Sequence, residues 1–377
     1  MATINYLTTI QFGFGELKAI AAGLEDLKVS RPLIVTDRGL AATDIVEQLR
    51  AAAPALGNAA IFADTPTNPT EEAVEAALAV YRENGCDSLV AIGGGSPIDL
   101  AKGVALLAGH DGPLETYAAI LGGIPKITAK VAPVIAVPTT AGTGSEVGRA
   151  ALITLKDGRK LGFISGHLIP KLAICDPELT LGLPAGLTAA TGMDAVTHCI
   201  ETYLSPRDNP VAESIALDGL KRAVAHIERA VADGSDREAR KEMLMAALQG
   251  GLTFQKGLGA VHALSHPLGG LKDVSLHHGT LNAVLLPAVL RFNAPSAEAK
   301  YAEIRRTLGL APDADLAAWI AGLTARLGLP ATLTQMGVPR SVIPAIAEAA
   351  TKDHSSASNP RQASAADYAS MLEASFG

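Results

Sequence analysis

The sequence predicts two domains: a Rossmann-like α/β domain with a parallel sheet, followed by an all-helical domain. The chain has 377 residues, about the length of two ordinary domains. In its first half, short runs rich in Val and Ile alternate with Ala-rich stretches, which is typical of βαβ units. Beyond about residue 184, helical periodicity dominates and strand-like alternation is scarce. We therefore expect one domain at residues 1–183 and the other at 184–377.

The individual elements follow from these patterns in chain order. The opening INYLTTIQFGFG predicts a hairpin at the edge of the sheet, and residues 70–85 predict a helix between two strands. Buried parallel strands are expected at 32–37, 59–64, 88–94 and 134–140. In the second half, helices are expected at 184–204, 211–232, 236–256, 258–271, 296–308, 313–326, 340–352 and 365–375.

Composition and charge exclude several classes of function. The net charge of −7 argues against nucleic acid and anionic membranes as partners. The three cysteines (Cys86, Cys175 and Cys199) are too widely spaced for a disulfide framework or a thiolate metal site. The N-terminus lacks the features of a signal peptide, and no apolar run approaches the ~18 residues that a membrane span needs. We expect a cytoplasmic protein without a membrane partner.

A glycine-rich turn follows the third predicted strand, in the stretch AIGGGSPIDLAKG. The three glycines at 93–95 allow a tight turn and a close approach of ligand to backbone. Ser96 suits the N-cap of the next helix, Pro97 its first position and Asp99 its third, in a variant of the capping box. Free N–H groups at a helix N-terminus predict an anion site, best suited to phosphate. A plain capped turn is the alternative.

Two further segments belong to the same prediction. Asp37 ends the strand LIVTD, where a carboxylate can bind ribose hydroxyls and repel a 2′-phosphate, which favours NAD over NADP. Its alternative role is to cap the helix that follows.

PTTAGTGSE at 138–146 is a second Gly/Thr-rich loop after a strand. No GxxxxGK[ST] loop is present, so hydrolysis of nucleoside triphosphates is not expected.

The histidines of the second half point to a metal. Asp194 and His198 are four residues apart in one predicted helix, and His262 and His266 repeat that spacing in another. A carboxylate and imidazoles on facing helices predict a divalent metal site. The adjacent histidines at 277–278 have diverging side chains, so only one of them is expected to reach the same ion. Each histidine alone would be more readily explained as structural; the repeated pairing favours the metal.

Four motifs in a fixed order resemble one known family. GGGSPIDLAKG, PTTAGTGSEV, GMDAVTHCIETYLS and GAVHALSHPLGG with HHGTLNAVLLP resemble the iron-containing (group III) alcohol dehydrogenases, from IQFGFG to about residue 293. The resemblance implies the dehydroquinate synthase-like two-domain plan. It also implies a metal-dependent NAD oxidoreductase that interconverts a small primary alcohol, diol or hydroxy acid and its aldehyde. A homodimer is expected on the same basis.

The resemblance also implies the metal ligands, which would be Asp194, His198, His262 and His278. His277 stays open as an alternative to His278, because the segment PLGGLKDVSLH before HHG is slightly longer than is usual in the family. A set of one Asp and three His without a thiolate suits Fe²⁺ and also accepts Zn²⁺.

His266 would lie near the nicotinamide, and its imidazole is a candidate for relaying the proton of the alcohol. Gly148 stands where the family commonly has Thr, which leaves the substrate open. The residues that the resemblance places at the cofactor are Asp37, Asn68, Gly94, Gly95, Ser96, Thr139 and Thr140, with Lys160 and Leu179 at less clearly defined positions.

The alternative function is a lyase or cyclase of the dehydroquinate synthase type, which shares the two-domain plan, NAD and a metal. Such an enzyme acts on a phosphorylated sugar acid and needs a cluster of basic residues around it. Lys256 and Lys272 are the nearest basic residues to the histidine motifs, which makes this alternative the weaker one.

Overall fold

The computed structural model describes residues 8–271, 273–274 and 276–377. They form two compact units. One unit runs to Thr140 and resumes over Ser145–Leu181; the other includes Ala141–Gly144 and Gly182–Gly377. The short excursion of residues 141–144 into the second unit is not predicted by the sequence.

The first unit is built on a parallel sheet, which confirms the predicted α/β class. Its six strands lie in the order β1-β8-β5-β4-β2-β3, and each neighbouring pair is parallel. A separate antiparallel pair, β6 and β7, was not predicted. The strands are β1 (Thr9–Phe12), β2 (Pro32–Val35), β3 (Ile61–Phe62), β4 (Ser88–Gly93), β5 (Val134–Pro138), β6 (Ala150–Thr154), β7 (Lys160–Ile164) and β8 (Leu172–Cys175).

Helices cover both faces of this sheet. Along β2 and β4, Leu33 and Leu89 pack into one hydrophobic core, whereas Ile34 and Val90 pack into another. Strands buried on both faces explain why these segments are continuous apolar runs rather than alternating ones. The helices are α1 (Ile20–Asp26), α2 (Arg38–Ala41), α3 (Ile45–Ala52), α4 (Pro54–Gly57), α5 (Glu71–Glu83) and α6 (Gly95–Gly109).

The opening segment differs from the expected hairpin. β1 is an edge strand, as predicted, but it pairs in parallel with β8, with Thr9 opposite Leu172. The partner strand is formed by residues 172–175, a short run that was not among the predicted strands. Residues 4–7 of the expected hairpin lie outside the described part of the chain.

The second unit is helical, as predicted. Helix α7 is buried at every residue from Thr188 to Leu204, so it forms the centre of this unit. Helix α11 begins well before the predicted 296–308. Its backbone leaves helical geometry at Ala297, so a first helical segment that contains Pro287 and Pro295 precedes the predicted one. Prolines disfavour the interior of a helix, which is why the first segment was not predicted. The helices are α7 (Ala185–Leu204), α8 (Pro210–Ala232), α9 (Arg237–Leu252), α10 (Ala260–Leu268), α11 (His278–Thr307), α12 (Leu316–Arg326), α13 (Ile343–Thr351) and α14 (Ala365–Phe376). Among the described residues, none of these helices combines the length and apolar character of a membrane span.

Candidate active site

Three predicted cofactor segments follow neighbouring strands of the sheet. Asp37 follows β2, Gly94 follows β4 and Thr139 follows β5, and β4 lies between the other two strands. The chain changes direction between β2 and β4, because β2 leads outward to β3 whereas β4 leads the other way to β5 and β8. In open α/β sheets, ligands bind outside the carboxyl ends of the strands at such a reversal. This edge is therefore the candidate cofactor site.

The glycine turn is built differently from the expected capping box. Gly93 has φ of +147°, and α6 begins at Gly95 with Gly94 as its N-cap, two residues earlier than predicted. Ser96 is inside the helix and its Oγ donates to the carbonyl of Thr67, so the predicted Ser96 cap is wrong. Because the cap is a glycine, the cap residue has no side chain to accept from the first N–H groups of α6. That leaves them to an anion, which supports the predicted phosphate site.

Asp99 is also not part of a capping box. Its carboxylate accepts hydrogen bonds from the Oγ of Ser145 at 2.5 Å and from the backbone N–H of Leu152 at 3.0 Å. The buried ammonium of Lys102 lies 3.7 Å away and donates to Ser145 as well. These contacts hold α6 against the second Gly/Thr-rich loop, through Ser145, and against β6, through Leu152.

The second Gly/Thr-rich loop contacts the glycine turn directly. A Cβ added to Gly94 would lie 3.3 Å from Cγ2 of Thr140, and the backbone N–H of Thr139 donates to the carbonyl of Gly93 at 2.9 Å. The structure therefore brings these predicted cofactor residues together at the same strand ends.

The other predicted cofactor residues have protein partners of their own. Asn68 Oδ1 accepts from Lys160 Nζ at 2.8 Å, so these two predicted residues are a contacting pair. Asp37 Oδ1 caps α2 by accepting from the N–H of Leu40 at 2.9 Å, which is the role named as its alternative. Leu179 is buried in one of the two cores of the sheet unit. A nucleotide role for these residues stays a prediction.

In the helical unit, three imidazoles converge on one carboxylate oxygen. Asp194 Oδ1 lies 3.5 Å from Nε2 of His198, 3.9 Å from Nε2 of His262 and 3.8 Å from Nε2 of His278. The rings of His198 and His262 are stacked with centroids 4.8 Å apart. The four residues come from α7, α10 and the first position of α11. The predicted metal ligands are thus brought together.

Hydrogen bonds at Nδ1 orient two of these imidazole rings. The Nδ1 of His262 lies 2.6 Å from Glu201 Oε2, while Oε1 of the same carboxylate accepts from the N–H of Val261 at 2.7 Å. The Nδ1 of His198 lies 3.2 Å from the carbonyl oxygen of Gly142. Because both Nδ1 atoms face acceptors, they carry the ring protons and leave Nε2 as a lone pair directed at the cluster.

The donor set fits a divalent cation. Ligand atoms of Asp194, His262 and His278 lie within 4.8 Å of one another. The amide Nδ2 of Asn282 lies 2.7 Å from Asp194 Oδ1 and 3.2 Å from the Nε2 atoms of both histidines. That amide has two hydrogens for three acceptors, and its own Oδ1 is buried with no hydrogen-bond partner among the described residues. A cation with several coordination positions would satisfy all of these acceptors at once.

The adjacent histidines are clearly distinguished. The Nε2 of His278 lies 3.8 Å from Asp194 Oδ1, whereas His277 is the N-cap residue of α11. Gly279 lets α11 begin close to α7, since a Cβ there would lie 2.1 Å from the carbonyl oxygen of Ala190. The geometry favours His278 over His277 as the fourth ligand.

The electrostatics differ between the two buried imidazoles of His198 and His262. Burial lowers the pKa of His198 to about 4, so this ring is neutral at pH 7. Burial acts in the same direction on His262, but the carboxylate of Glu201 outweighs it and the pKa of His262 is raised. A cation at the Nε2 side competes with that proton.

Sequence reasoning missed Glu201, Asn282 and Asp353. A signal for Glu201 was present, because it follows Asp194 by seven residues and so shares its face of α7. Asp353 lies 2.8 Å from His266 but 87 positions away in the chain, with no local pattern to link them. Lys256, named for the cyclase alternative, instead caps the end of α7 by donating to backbone carbonyls. Lys272 lies outside the described residues.

A parallel sheet with an uncapped glycine turn at its reversal point, and a buried carboxylate–histidine cluster in a helical unit, together define a metal- and nucleotide-dependent dehydrogenase. Comparisons with known proteins agree. Residues 8–177 match the iron-containing alcohol dehydrogenase family, and residues 188–376 match the C-terminal part of that family. The chain belongs to the iron-containing alcohol dehydrogenase family.

Individual relatives narrow the chemistry. The chain is 57% identical to a 4-hydroxybutyrate dehydrogenase of Cupriavidus necator, over 100% of both chains. It is 38% identical to a 1,3-propanediol dehydrogenase of Citrobacter freundii, over 97% of this chain and 96% of that one. A solved 1,3-propanediol oxidoreductase superposes with a TM-score of 0.93 at 37% identity, covering 100% of both chains. The protein is an NAD-dependent oxidoreductase that interconverts a small alcohol and its aldehyde, and the cyclase alternative is set aside.

Proposed function

We propose that this enzyme oxidises 4-hydroxybutyrate to succinate semialdehyde, with NAD⁺ as the hydride acceptor. The observation that carries the proposal is the 57% identity, over the whole of both chains, to a protein of that activity. The relatives that act on 1,3-propanediol are 38% identical. Both substrates are primary alcohols, so the difference lies in the group at the far end of the substrate, a carboxylate or a second hydroxyl.

The carboxylate–histidine cluster of the helical unit would bind the metal. Asp194, His198, His262 and His278 would hold a divalent cation, which we propose to be Fe²⁺. When bound, such a cation acts as a Lewis acid that makes the substrate hydroxyl more acidic. The ring of Phe254, edge-on to His198 at 4.8 Å between centroids, supplies an apolar wall beside the cluster.

In the sheet unit, the N–H groups at Gly94, Gly95 and Ser96 would bind the cofactor pyrophosphate. Asp37 would bind the adenine-side ribose with the carboxylate oxygen that does not cap α2. Thr139 and Thr140 would contribute hydroxyl groups to the cofactor site. The Asn68–Lys160 pair would make polar contacts with the cofactor, and Leu179 would support it with an apolar contact.

His266 would accept the proton of the substrate hydroxyl. Its ring centroid lies 5.6 Å from that of His262 and 5.8 Å from that of His278, so it adjoins the ligand cluster. Its Nε2 is buried and has no hydrogen-bond partner among the described residues. Histidine is the side chain that most often serves as the general acid or base in catalysis.

Steady-state kinetics test the substrate. NADH formation would be followed with 4-hydroxybutyrate, 1,3-propanediol and 1-butanol, the last being matched in length but lacking the carboxylate. We expect the highest kcat/KM with 4-hydroxybutyrate. A higher kcat/KM with 1,3-propanediol or 1-butanol would refute the proposed substrate while leaving the family in place.

Metal identity and assembly need separate measurements. Metal-stripped protein reloaded with Fe²⁺ or Zn²⁺ is expected to regain most turnover with Fe²⁺.

We also propose a cytoplasmic homodimer, which light scattering would report as twice the 38.6 kDa chain mass. All three cysteines are free thiols, which suits a reducing compartment.

A further inference from the structure

The imidazole of His266 is held by a carboxylate from a distant part of the chain. Asp353, two residues beyond the end of α13, has its Oδ2 2.8 Å from Nδ1 of His266. The residue His266 is 2% exposed, and the side chain of Asp353 is 11% exposed. A carboxylate that faces Nδ1 requires the proton on that nitrogen, which leaves Nε2 as the lone-pair acceptor.

The carboxylate is itself fixed in place. Its second oxygen, Oδ1, accepts from the backbone N–H of Ser355 at 2.8 Å. Burial acts to raise the pKa of Asp353, but the neighbouring His266 outweighs it and the pKa stays well below its usual range. Asp353 is therefore ionised at neutral pH, and its two oxygens have distinct and separate partners.

The ring of His266 cannot easily adopt another orientation. It is stacked against His278 with an interplanar angle of 8° and against His354 with an angle of 16°. These neighbours, together with Asp353, hold the ring plane and its tautomer. What remains open is the buried Nε2, on the ring edge away from Asp353.

We propose that Asp353 is a positioning residue that keeps His266 in the Nδ1–H tautomer, with Nε2 ready to take the proton of the alcohol. This inference rests on the proposed role of His266. In the reaction, the O–H bond of the substrate breaks and its proton passes to Nε2 and on to water. The carbinol C–H bond breaks with transfer of a hydride to NAD⁺, and the C–O bond becomes the carbonyl of the aldehyde.

An isosteric substitution separates positioning from simple packing. In Asp353→Asn, the amide oxygen should keep the place of Oδ1, because the N–H of Ser355 needs an acceptor there. The amide NH₂ then faces His266 and donates to Nδ1, which moves the ring proton to Nε2 and removes the acceptor. A residue that served only packing would tolerate this change, because the shape is unchanged.

The kinetic test uses the metal-loaded enzyme and whichever alcohol of the panel the wild type oxidises. We expect kcat of Asp353→Asn to fall by about 100-fold, the lower range for loss of a general acid–base group. KM should change less than about threefold, in keeping with a loss confined to the transition state. Asp353→Ala should lose a similar factor. Glu348→Gln, an exposed acid on α13 that pairs with Lys352, is the matched control and should behave as wild type.

A spectroscopic arm reports the tautomer directly. Nitrogen NMR of the Zn²⁺-loaded, ¹⁵N-histidine-labelled protein should show the His266 proton on Nδ1 in the wild type and on Nε2 in Asp353→Asn. The His266 signals are assigned by their absence in His266→Gln. Metal content and thermal unfolding of each variant show whether it is folded and loaded.

Three results would overturn the inference. One is wild-type kcat in Asp353→Asn while His266→Gln is inactive, which would leave the role of His266 intact but remove that of Asp353. Another is an unchanged tautomer in Asp353→Asn. The third is a second metal equivalent lost with Asp353, because donor atoms of His266, Asp353 and His354 lie within 4.8 Å of one another and would then be a metal site. Full activity of His266→Gln would instead refute the proposed function of His266 itself.

Discussion

Replacing Glu201 with Gln should weaken metal binding without removing any ligand. The two oxygens of Glu201 accept from the Nδ1–H of His262 at 2.6 Å and from the N–H of Val261 at 2.7 Å. An amide can accept at only one of these positions and places an NH₂ donor at the other. Either the ring of His262 loses its orienting acceptor, or a buried backbone N–H does. The negative charge that increases the basicity of His262 is lost in both cases.

The size of the effect follows from this geometry. Loss of an outer-shell carboxylate behind a ligating histidine typically costs 10- to 100-fold in metal affinity, or about 1.4–2.7 kcal/mol. Glu201 is only 4% exposed, so water cannot easily replace it, and we expect the upper part of that range, about 50- to 100-fold. The predicted loss is smaller than that of His262→Ala, which removes a ligand outright.

The assay is a competition titration of metal-stripped protein with Zn²⁺ in the presence of a chromophoric chelator. Glu242→Gln is the control, because this carboxylate pairs with Arg222 rather than with a histidine. Circular dichroism would confirm that both variants are folded. A Zn²⁺ affinity of Glu201→Gln within threefold of the wild type would show that the carboxylate behind His262 does not affect metal binding, and would refute the proposed orienting role of Glu201.

Further outcomes concern other parts of the molecule. His278→Ala should empty the metal site while His277→Ala keeps nearly full metal content; the reverse pattern, by metal analysis, would move the ligand by one residue. Asp37→Gly should shift the ratio of kcat/KM for NADP⁺ over NAD⁺ upward by about tenfold, the effect of one charged contact worth ~1.4 kcal/mol, and an unchanged ratio would leave Asp37 as a cap alone. Burial raises the pKa of Glu146 from 4.5 to about 7, so the folded state holds an extra proton between these values and loses stability as pH rises through them. That loss is roughly 3 kcal/mol, so Glu146→Gln should gain unfolding free energy relative to wild type between pH 5 and pH 8 in denaturant titrations; a difference independent of pH would contradict the shift.

The elements that could be predicted from the sequence are those with a local hydrophobic pattern. The buried strands at β2, β4 and β5 are continuous apolar runs, and α7 carries its ligands with helical spacing. The edge strand β1 could be placed, but its parallel partner could not. That pairing joins residues 9 and 172, and nothing in either segment alone specifies the other.

The same limit applies to the site. Asp194, His198 and His262 were accessible through spacing and resemblance, and Glu201 shares the same helix face. Asn282 follows His278 by four positions on α11, so spacing could have indicated it as well. Asp353 was not accessible, because its partner His266 is 87 positions away. The error at Ser96 had a different cause. A serine is a good N-cap, but the chain turns at Gly93 with its positive φ, so the N-cap is Gly94, two residues before the serine.

Residues 141–144 belong to the helical unit although they lie within the sheet half of the sequence, and this limits where the chain can be cut into separate units. A cut near residue 182 would give a helical fragment that contains every predicted metal ligand, yet it would lack Gly142, whose carbonyl faces Nδ1 of His198. A chimera that joins the sheet half of one homologue to the helical half of another would likewise place residues 141–144 of a different protein against His198. Successful chimeras should therefore exchange residues 141–144 together with the helical half, which requires three junctions instead of one.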